Sequence, residues 1–467
     1  MSGHETLTFP GRDSAASSAM PQASRTAPPR RPKVDRWEQF FRLSMLAAYG
    51  LVIFISIIAT NWRLGLPVRS LVAMGLLGAL ILLRPSDAIM AMKRLSGFCL
   101  IALYLSVLGF VLSLFSGGDI GAALLATVQI SGQAVVQTLL AAIVAECCGA
   151  RPTLKIFVIL IGVTSLVAVL QFIGVGVAWN VRDALSGVQG DVVEGRFSEA
   201  LDGGEVRSIG LSYSKTILAG QICLAFAAYL LMRLQVVKRL RSIRIDMSLT
   251  HLGYGLLVLA FVAIAGGNRS PLLGGAVVLV LFLLRTRPRL FVLAMVLCFP
   301  VILVANSILA ELQSATDSRI LQTGDNSSLG RLTLIKYGVM LFVDNPFGYG
   351  ATFEPRDYAL QYLGYFWGDP TKSYIYRYPL HNYVMSVANI YGVLALPVLF
   401  KVIGIFRKNV LIYITFAAYI THILFHNSGP FYQNEIFFWF VVGVVPKLKS
   451  EWRSAFGALQ VKAAAPA

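Results

Sequence analysis

Three short motifs carry side chains able to do chemistry, and each lies where a hydrophobic stretch begins or ends. His381-Asn382 opens one stretch, directly after Pro379-Leu380. Imidazole ordinarily titrates near working pH, which suits a general base acting on a hydroxyl. A histidine at a helix start also serves well as a purely structural hydrogen-bonder. Gly266-Gly267-Asn268-Arg269-Ser270-Pro271 separates two further stretches. Its arginine precedes a helix expected from Pro271, whose unpaired N–H groups and positive dipole end favour an anion. The alternative there is an arginine snorkelling from a tight turn. Gly330-Arg331 supplies a second guanidinium, always charged and able to bond diphosphate in bidentate fashion. Contact with lipid headgroups is the plainer role for Arg331.

His422 and His426 stand four apart near the end of another stretch. A zinc site would need two more ligands, of which Glu435 is the only obvious one, so packing is the simpler assignment. Of the five cysteines, Cys147-Cys148 has no second pair to accompany it, and no disulfide framework is implied. No metal and no cofactor is expected.

These motifs are set in a chain of 467 residues that is 56% hydrophobic and only 13% charged, with mean hydropathy +0.69. Soluble domains of this length do not have that composition, whereas bundles of transmembrane helices do. The expected fold is therefore an all-α polytopic membrane protein of about twelve spans. The spans fall near 41–60, 66–83, 95–115, 120–145, 154–178, 211–232, 249–266, 271–284, 290–309, 382–406, 410–425 and 431–445. The net charge of +17 does not point to nucleic acid, because the basic residues sit in short loops between spans. Arg84, Lys93, Arg94, Arg151, Lys155, Arg233, Arg285, Arg407 and Lys447 all lie in alternate loops. That asymmetry places both termini in the cytoplasm.

The expected organisation is a disordered basic tail (1–36), nine spans (37–310), a large outer loop (311–380), three spans (381–446) and a cytoplasmic tail (447–467). The tail is not a cleavable signal peptide, because its apolar stretch starts too late. A first outer loop (179–210) is net acidic and glycine-rich and carries Arg182, Arg196 and Arg207. The second loop is too long for a mere connector. It holds Arg319 and Arg331, Trp367, and a run of tyrosines from Tyr358 to Tyr383. Within it a surface helix is expected over Ser328–Val343, capped by Ser328, with Arg331 in its first turn.

Together these features resemble the O-antigen ligase and Wzy-type polymerase superfamily of bacterial membrane glycosyltransferases, best over about residues 266–404. His381, Asn382 and Gly392 match the family's histidine pattern, with Ala395, a departure, in its last place. Arg269-Ser270, Gly330-Arg331 and the turn Asn345 to Gly350 match three further motifs. Tyr337 stands where many members have tryptophan. The resemblance implies a GT-C-like helical fold and a metal-independent, inverting transferase of the inner membrane with a periplasmic active site. Its donor would be a glycan on undecaprenyl diphosphate, with Arg269, Arg331 and Arg319 on the diphosphate and His381 as the base. Asn382, Ser270, Arg196, Arg207 and Tyr337 would support the site or touch substrate, while the loop's tyrosines and Trp367 would stack on sugars. Implied partners are a glycan or lipid A–core acceptor, membrane lipid, a polysaccharide flippase and a chain-length regulator.

Polymerase of a secreted polysaccharide and O-antigen ligase both fit this pattern. Arg319 to Gly330 has an arginine–glycine spacing that some polymerases carry in both outer loops, but the first loop lacks it. Two arginine-bearing outer loops suit two lipid-linked substrates, which favours polymerase. A transporter or flippase is the rival outside enzymes, expected to place charges near the midplane of two related halves. Metal-dependent oligosaccharyltransferases need an Asp-x-Asp motif, and the chain has none.

Overall fold

The computed structural model describes residues 36–58, 68–189, 208–212, 214–239, 242–296, 326–407, 410–426, 428–432 and 436–464. The chain divides into two units, Met1–Phe41 and Arg42–Ala467. Of the first, only the opening of helix α1 (Arg36–Ile58) is described. The rest of the fold belongs to the second.

After α1 come α2 (Val68–Leu83), α3 (Pro85–Phe115), α4 (Ile120–Thr127), α5 (Gln133–Cys148), α6 (Ala150–Phe172) and α7 (Gly176–Gln189). A single π turn, Val128–Gly132, joins α4 to α5. Then follow α8 (Lys215–Arg233), strands β1 (Gln235–Arg239) and β2 (Ser242–Asp246), α9 (Leu249–Ala265) and α10 (Ser270–Thr286). The C-terminal portion holds α11 (Asn326–Asp344), α12 (Tyr383–Tyr391), α13 (Leu396–Arg407), α14 (Val410–Leu424), α15 (Phe437–Val442) and α16 (Val445–Ala464). Among the described residues, six helical stretches are long and apolar enough to cross a bilayer: Arg36–Ile58, Pro85–Phe115, Ile120–Cys148, Ala150–Phe172, Lys215–Arg233 and Tyr383–Val402. Four shorter apolar helices, α2, α9, α10 and α14, accompany them.

Several elements differ from the sequence expectation. Helix α3 begins at Pro85, ten residues early, because proline suits a first helical turn and the charged stretch after it has no breaker. Arg94 therefore lies on a helix, where its Nε meets Glu146 Oε1 of α5 at 3.0 Å. Lys447 Nζ takes the other oxygen at 2.9 Å, so a buried carboxylate joins α3, α5 and α16, and removing either partner would leave charge stranded. The expected tail after residue 447 is thus the docked helix α16. Helix α7 runs into what composition marked as the first outer loop. The basic stretch after α8 is an antiparallel hairpin pairing Gln235 with Asp246 and Arg239 with Ser242. Its Ile-Arg-Ile alternation has the period of a strand, hidden in a run dominated by charge. The twelfth stretch is not one helix: a turn at 428–432 precedes the short α15.

The described part of the second long loop, from α11 to Leu380, packs around an aromatic core. Tyr337, Leu341, Tyr349, Tyr362, Phe366 and Ile375 are buried together, against Leu105 of α3 and Ile390 of α12. Tyr337, Tyr349 and Tyr362 are therefore spent on packing, while Tyr365, Tyr376 and Tyr378 are exposed. Tyr337 is fully buried, with its hydroxyl donating to the Pro355 carbonyl, and Tyr362 donates to Asp344. The turn after α11 is wedged between α3 and α12. Gly350 N donates to Ile390 O at 2.9 Å and Ala351 N to Gly109 O at 3.0 Å. Gly392 has φ +59°, and a Cβ there would lie 2.1 Å from the Phe347 carbonyl carbon, so only glycine fits.

Candidate functional site

Five helix ends meet at one place. Helix α9 stops in a Schellman turn: Gly267 N bonds Ile264 O, Asn268 N bonds Ala263 O, and Gly267 takes φ +63°. The Asn268 amide then donates to the Lys215 carbonyl at 2.9 Å, fastening this turn to the start of α8. Helix α10 leaves immediately afterwards and crosses α14 at a glycine. A Cβ on Gly274 would stand 2.7 Å from the Ala418 carbonyl oxygen. This close backbone approach, one helical turn from both Ser270 and His422, brings those side chains into contact.

Ser270 Oγ lies 2.9 Å from His422 Nδ1 and 3.4 Å from His426 Nε2. The two imidazoles are 4.3 Å apart between ring centres. His422 also bonds the Thr216 backbone of α8. Both histidines are buried, at 1% and 8% exposure. Burial, with the neighbouring His422 and Arg331, holds His426 well below the ordinary imidazole range, so it is neutral.

His381 enters from the loop before α12. Its Nδ1 is 2.9 Å from the Pro379 carbonyl oxygen. A carbonyl only accepts, so the proton resides on Nδ1 and Nε2 keeps its lone pair. Burial, and then the charge of Arg331, push its pKa below the ordinary value, which keeps the imidazole neutral and basic at Nε2. Asn382 beside it has two duties. Its Oδ1 accepts from Met385 N at 3.1 Å, capping α12, and its Nδ2 donates to Leu424 O at 3.0 Å. The second bond ties His381 to the end of α14, where His422 and His426 sit. Tyr383 and Tyr391 of α12 donate to Pro430 O and Phe431 O, which holds the turn following His426.

Arg331 is half-buried and close enough to act electrostatically on His381, His422 and His426. Helix α11 starts at Asn326 rather than after Ser328, so Arg331 lies in its second turn. The Asp325-Asn326-Ser327-Ser328 run offers four competent caps, and sequence does not choose among them. Gly330 is needed because the Tyr374 ring occupies its side-chain position: a Cβ would be 2.2 Å from Cε1. Tyr374 packs on Tyr378 at 5.0 Å, and Tyr378 meets the His381 ring edge-to-face at 5.9 Å. The Gly-Arg motif is thereby linked to His381 through two aromatic rings.

His381, Arg331, Asn382 and Ser270 are thus brought together. Arg269 is adjacent through the backbone, as the N-cap residue of α10, and its side chain is exposed. Tyr337 lies in the aromatic core of the loop instead. Arg196, Arg207, Arg319 and Glu435 fall outside the described residues. Sequence reading missed Lys215, whose charge reaches His426, and the joint role of His422 and His426 with Ser270. A lysine opening an apolar span was the one available signal for the first. Among the described residues, no three His, Cys, Asp or Glu side chains are placed to share a metal ion.

A multi-pass helical membrane protein with a cationic, imidazole-bearing site built from helix ends is the class this arrangement defines. Residues 254–423 match the family model for O-antigen ligase (Wzy_C), so over that stretch the chain is similar to that family. The match spans the Arg269-Ser270, Gly330-Arg331 and His381-Asn382 motifs and His422, while Lys215 and His426 lie outside it. No curated protein matches the chain.

Proposed function

We propose that the protein is an inverting, metal-independent glycosyltransferase that polymerises undecaprenyl-diphosphate-linked repeats into a cell-surface polysaccharide at the periplasmic face of the inner membrane. His381 Nε2 takes the proton of the acceptor hydroxyl as that oxygen bonds to the anomeric carbon of the donor. The bond from the anomeric carbon to the diphosphate oxygen breaks on the opposite side, and the electron pair leaves with undecaprenyl diphosphate. Arg331, with Arg269 and Lys215 near the same helix ends, stabilises the charge that grows on the leaving group. Such preorganised cations act most strongly on charge developing in the transition state.

The observation that carries this reading is the pairing of a base of fixed tautomer with a guanidinium in one cluster. His381 donates from Nδ1 to Pro379, so Nε2 is the free base, and burial, with the charge of nearby Arg331, lowers the pKa of the ring. The basic balance of the cluster suits an anionic leaving group rather than a neutral transported solute. The test is a deletion strain complemented with wild type or His381→Ala. Polymerase activity predicts single repeats retained on the surface and long chains lost. Unligated polymer accumulating on its lipid carrier would instead identify a ligase, and an unchanged polysaccharide profile would reject both.

A further inference from the structure

A second feature lies on α11, beyond Arg331. Ile335, Lys336 and Val339 of the helix, with Tyr365, Trp367 and Asp369 of the following loop, line a cavity of about 550 Å³. That volume is within the roughly 300–1,000 Å³ typical of small-molecule sites. Trp367 and Tyr365 are 84% and 76% exposed, although the loop around them is well packed. Lys372 Nζ lies 4.8 Å from the Trp367 ring centre. The combination is an apolar floor, an aromatic wall and a charged rim.

The aromatic wall is held from both sides. Phe366 is buried against Tyr337, with ring centres 6.3 Å apart. On the other side Asp369 Oδ2 accepts from Thr333 Oγ1 at 2.9 Å, and Thr371 Oγ1 is 2.7 Å from the same Thr333 hydroxyl. Asp369 Oδ1 takes Thr371 N and Oγ1 at 2.8 and 2.7 Å. Trp367 is therefore an exposed ring between two fixed neighbours, with little ordering left to lose on binding.

We infer that this groove binds the sugar rings of the lipid-linked donor, next to its diphosphate. A pyranose has one face of C–H groups, which suits an aromatic face, and an edge of hydroxyls, which suits Lys336 and the remaining acceptor site of Asp369. Direction along the helix supports the donor in particular. Arg331, Ile335 and Val339 recur at four-residue intervals and share a face, so the groove opens about 6 Å from Arg331. With the diphosphate at Arg331, the attached sugars run along α11 towards Trp367. This rests on the glycosyl-transfer reading of the Arg331–His381 site.

The test uses the full chain in phosphatidylethanolamine–phosphatidylglycerol nanodiscs. The probes are the lipid-linked repeat isolated from the deletion strain and the free oligosaccharide released from it by mild acid. Trp367→Ala is expected to raise KM for the lipid-linked repeat at least tenfold and to weaken oligosaccharide binding similarly. Its kcat should stay within threefold, and Trp367→Phe should restore most of the affinity. Because Trp367 is exposed, both variants should fold, as checked by thermal unfolding. Unchanged KM and oligosaccharide affinity in Trp367→Ala would overturn the groove. So would a Trp367 fluorescence component, identified by its loss in Trp367→Phe, that brominated lipid quenches and oligosaccharide leaves unaltered, because the ring would then be a membrane anchor. His381→Ala keeps the two readings apart: it should abolish transfer and retain oligosaccharide binding. A wild-type protein that binds oligosaccharide but transfers nothing would sink the reaction and spare the groove.

Discussion

Ser270 Oγ and His422 Nδ1 are 2.9 Å apart across 152 positions of sequence, at the crossing of α10 and α14. This contact fixes the end of α14, which in turn receives Asn382 and so the loop bearing His381. The candidate base is therefore held by a relay of side chains, each fastening one helix end to the next.

Ser270→Ala should loosen that relay. A buried hydrogen bond contributes about 1 kcal/mol, and the stranded imidazole nitrogen adds about 1–3 kcal/mol of desolvation. Thermal unfolding in detergent should show the loss, with kcat falling while donor KM changes little. Wild-type stability together with wild-type kcat would mean that the Ser270–histidine contact positions nothing.

His381→Ala should lower kcat by about 10²–10⁴-fold, the range expected for a lost general base. Expression and unfolding temperature should match wild type, because the side chain is only half-buried and bonds its own loop. In vitro transfer from lipid-linked repeats, followed by product length on gels, measures this directly.

The pH profile should carry the signature of a depressed imidazole. Burial and the Arg331 charge lower the His381 pKa, so the neutral, base-competent form predominates above that value and disappears below it. Thus kcat/KM should rise with pH along a limb lying below about 6.5, the ordinary imidazole value, and level off at neutrality. His381→Ala should remove the limb. A limb centred above 6.5 in wild type would contradict the burial of His381 near Arg331.

Asn382 separates capping from positioning. Asn382→Ser keeps a good N-cap for α12 but loses the amide donated to Leu424 O. Unfolding temperature should stay near wild type while kcat drops. Asn382→Ala should lose both, with about 1 kcal/mol of stability gone. Full activity in Asn382→Ser would mean the tie to α14 is dispensable.

Gly330→Ala should destabilise the loop by about 1–3 kcal/mol, since the new methyl overlaps the Tyr374 ring. Because the ring stack leads to His381, activity should fall as well. Shortening the clashing side chain in Gly330→Ala/Tyr374→Ala should recover stability more than activity. No recovery of stability would argue that Gly330 serves something other than this contact.

The membrane class and most helix cores were determined by the sequence itself. Long apolar runs and the charges between them leave few other folds, and α9, α10 and α14 lie within a few residues of expectation. The breaks were legible too, because Gly267, Pro271 and Asn382 act on their own backbone. Local rules could not decide which tyrosines were packing and which were surface. Tyr337 and Tyr362 are buried while Tyr365 and Trp367 are exposed, within one stretch of similar composition. Nor could they place Ser270 against His422 and His426, or bring Lys215 beside them. Those contacts exist because Gly274 lets α10 approach the α14 backbone and because Asn268 bonds Lys215. Periodicity reports which face of a helix is buried, but the meeting of distant helix ends is set only when the helices pack.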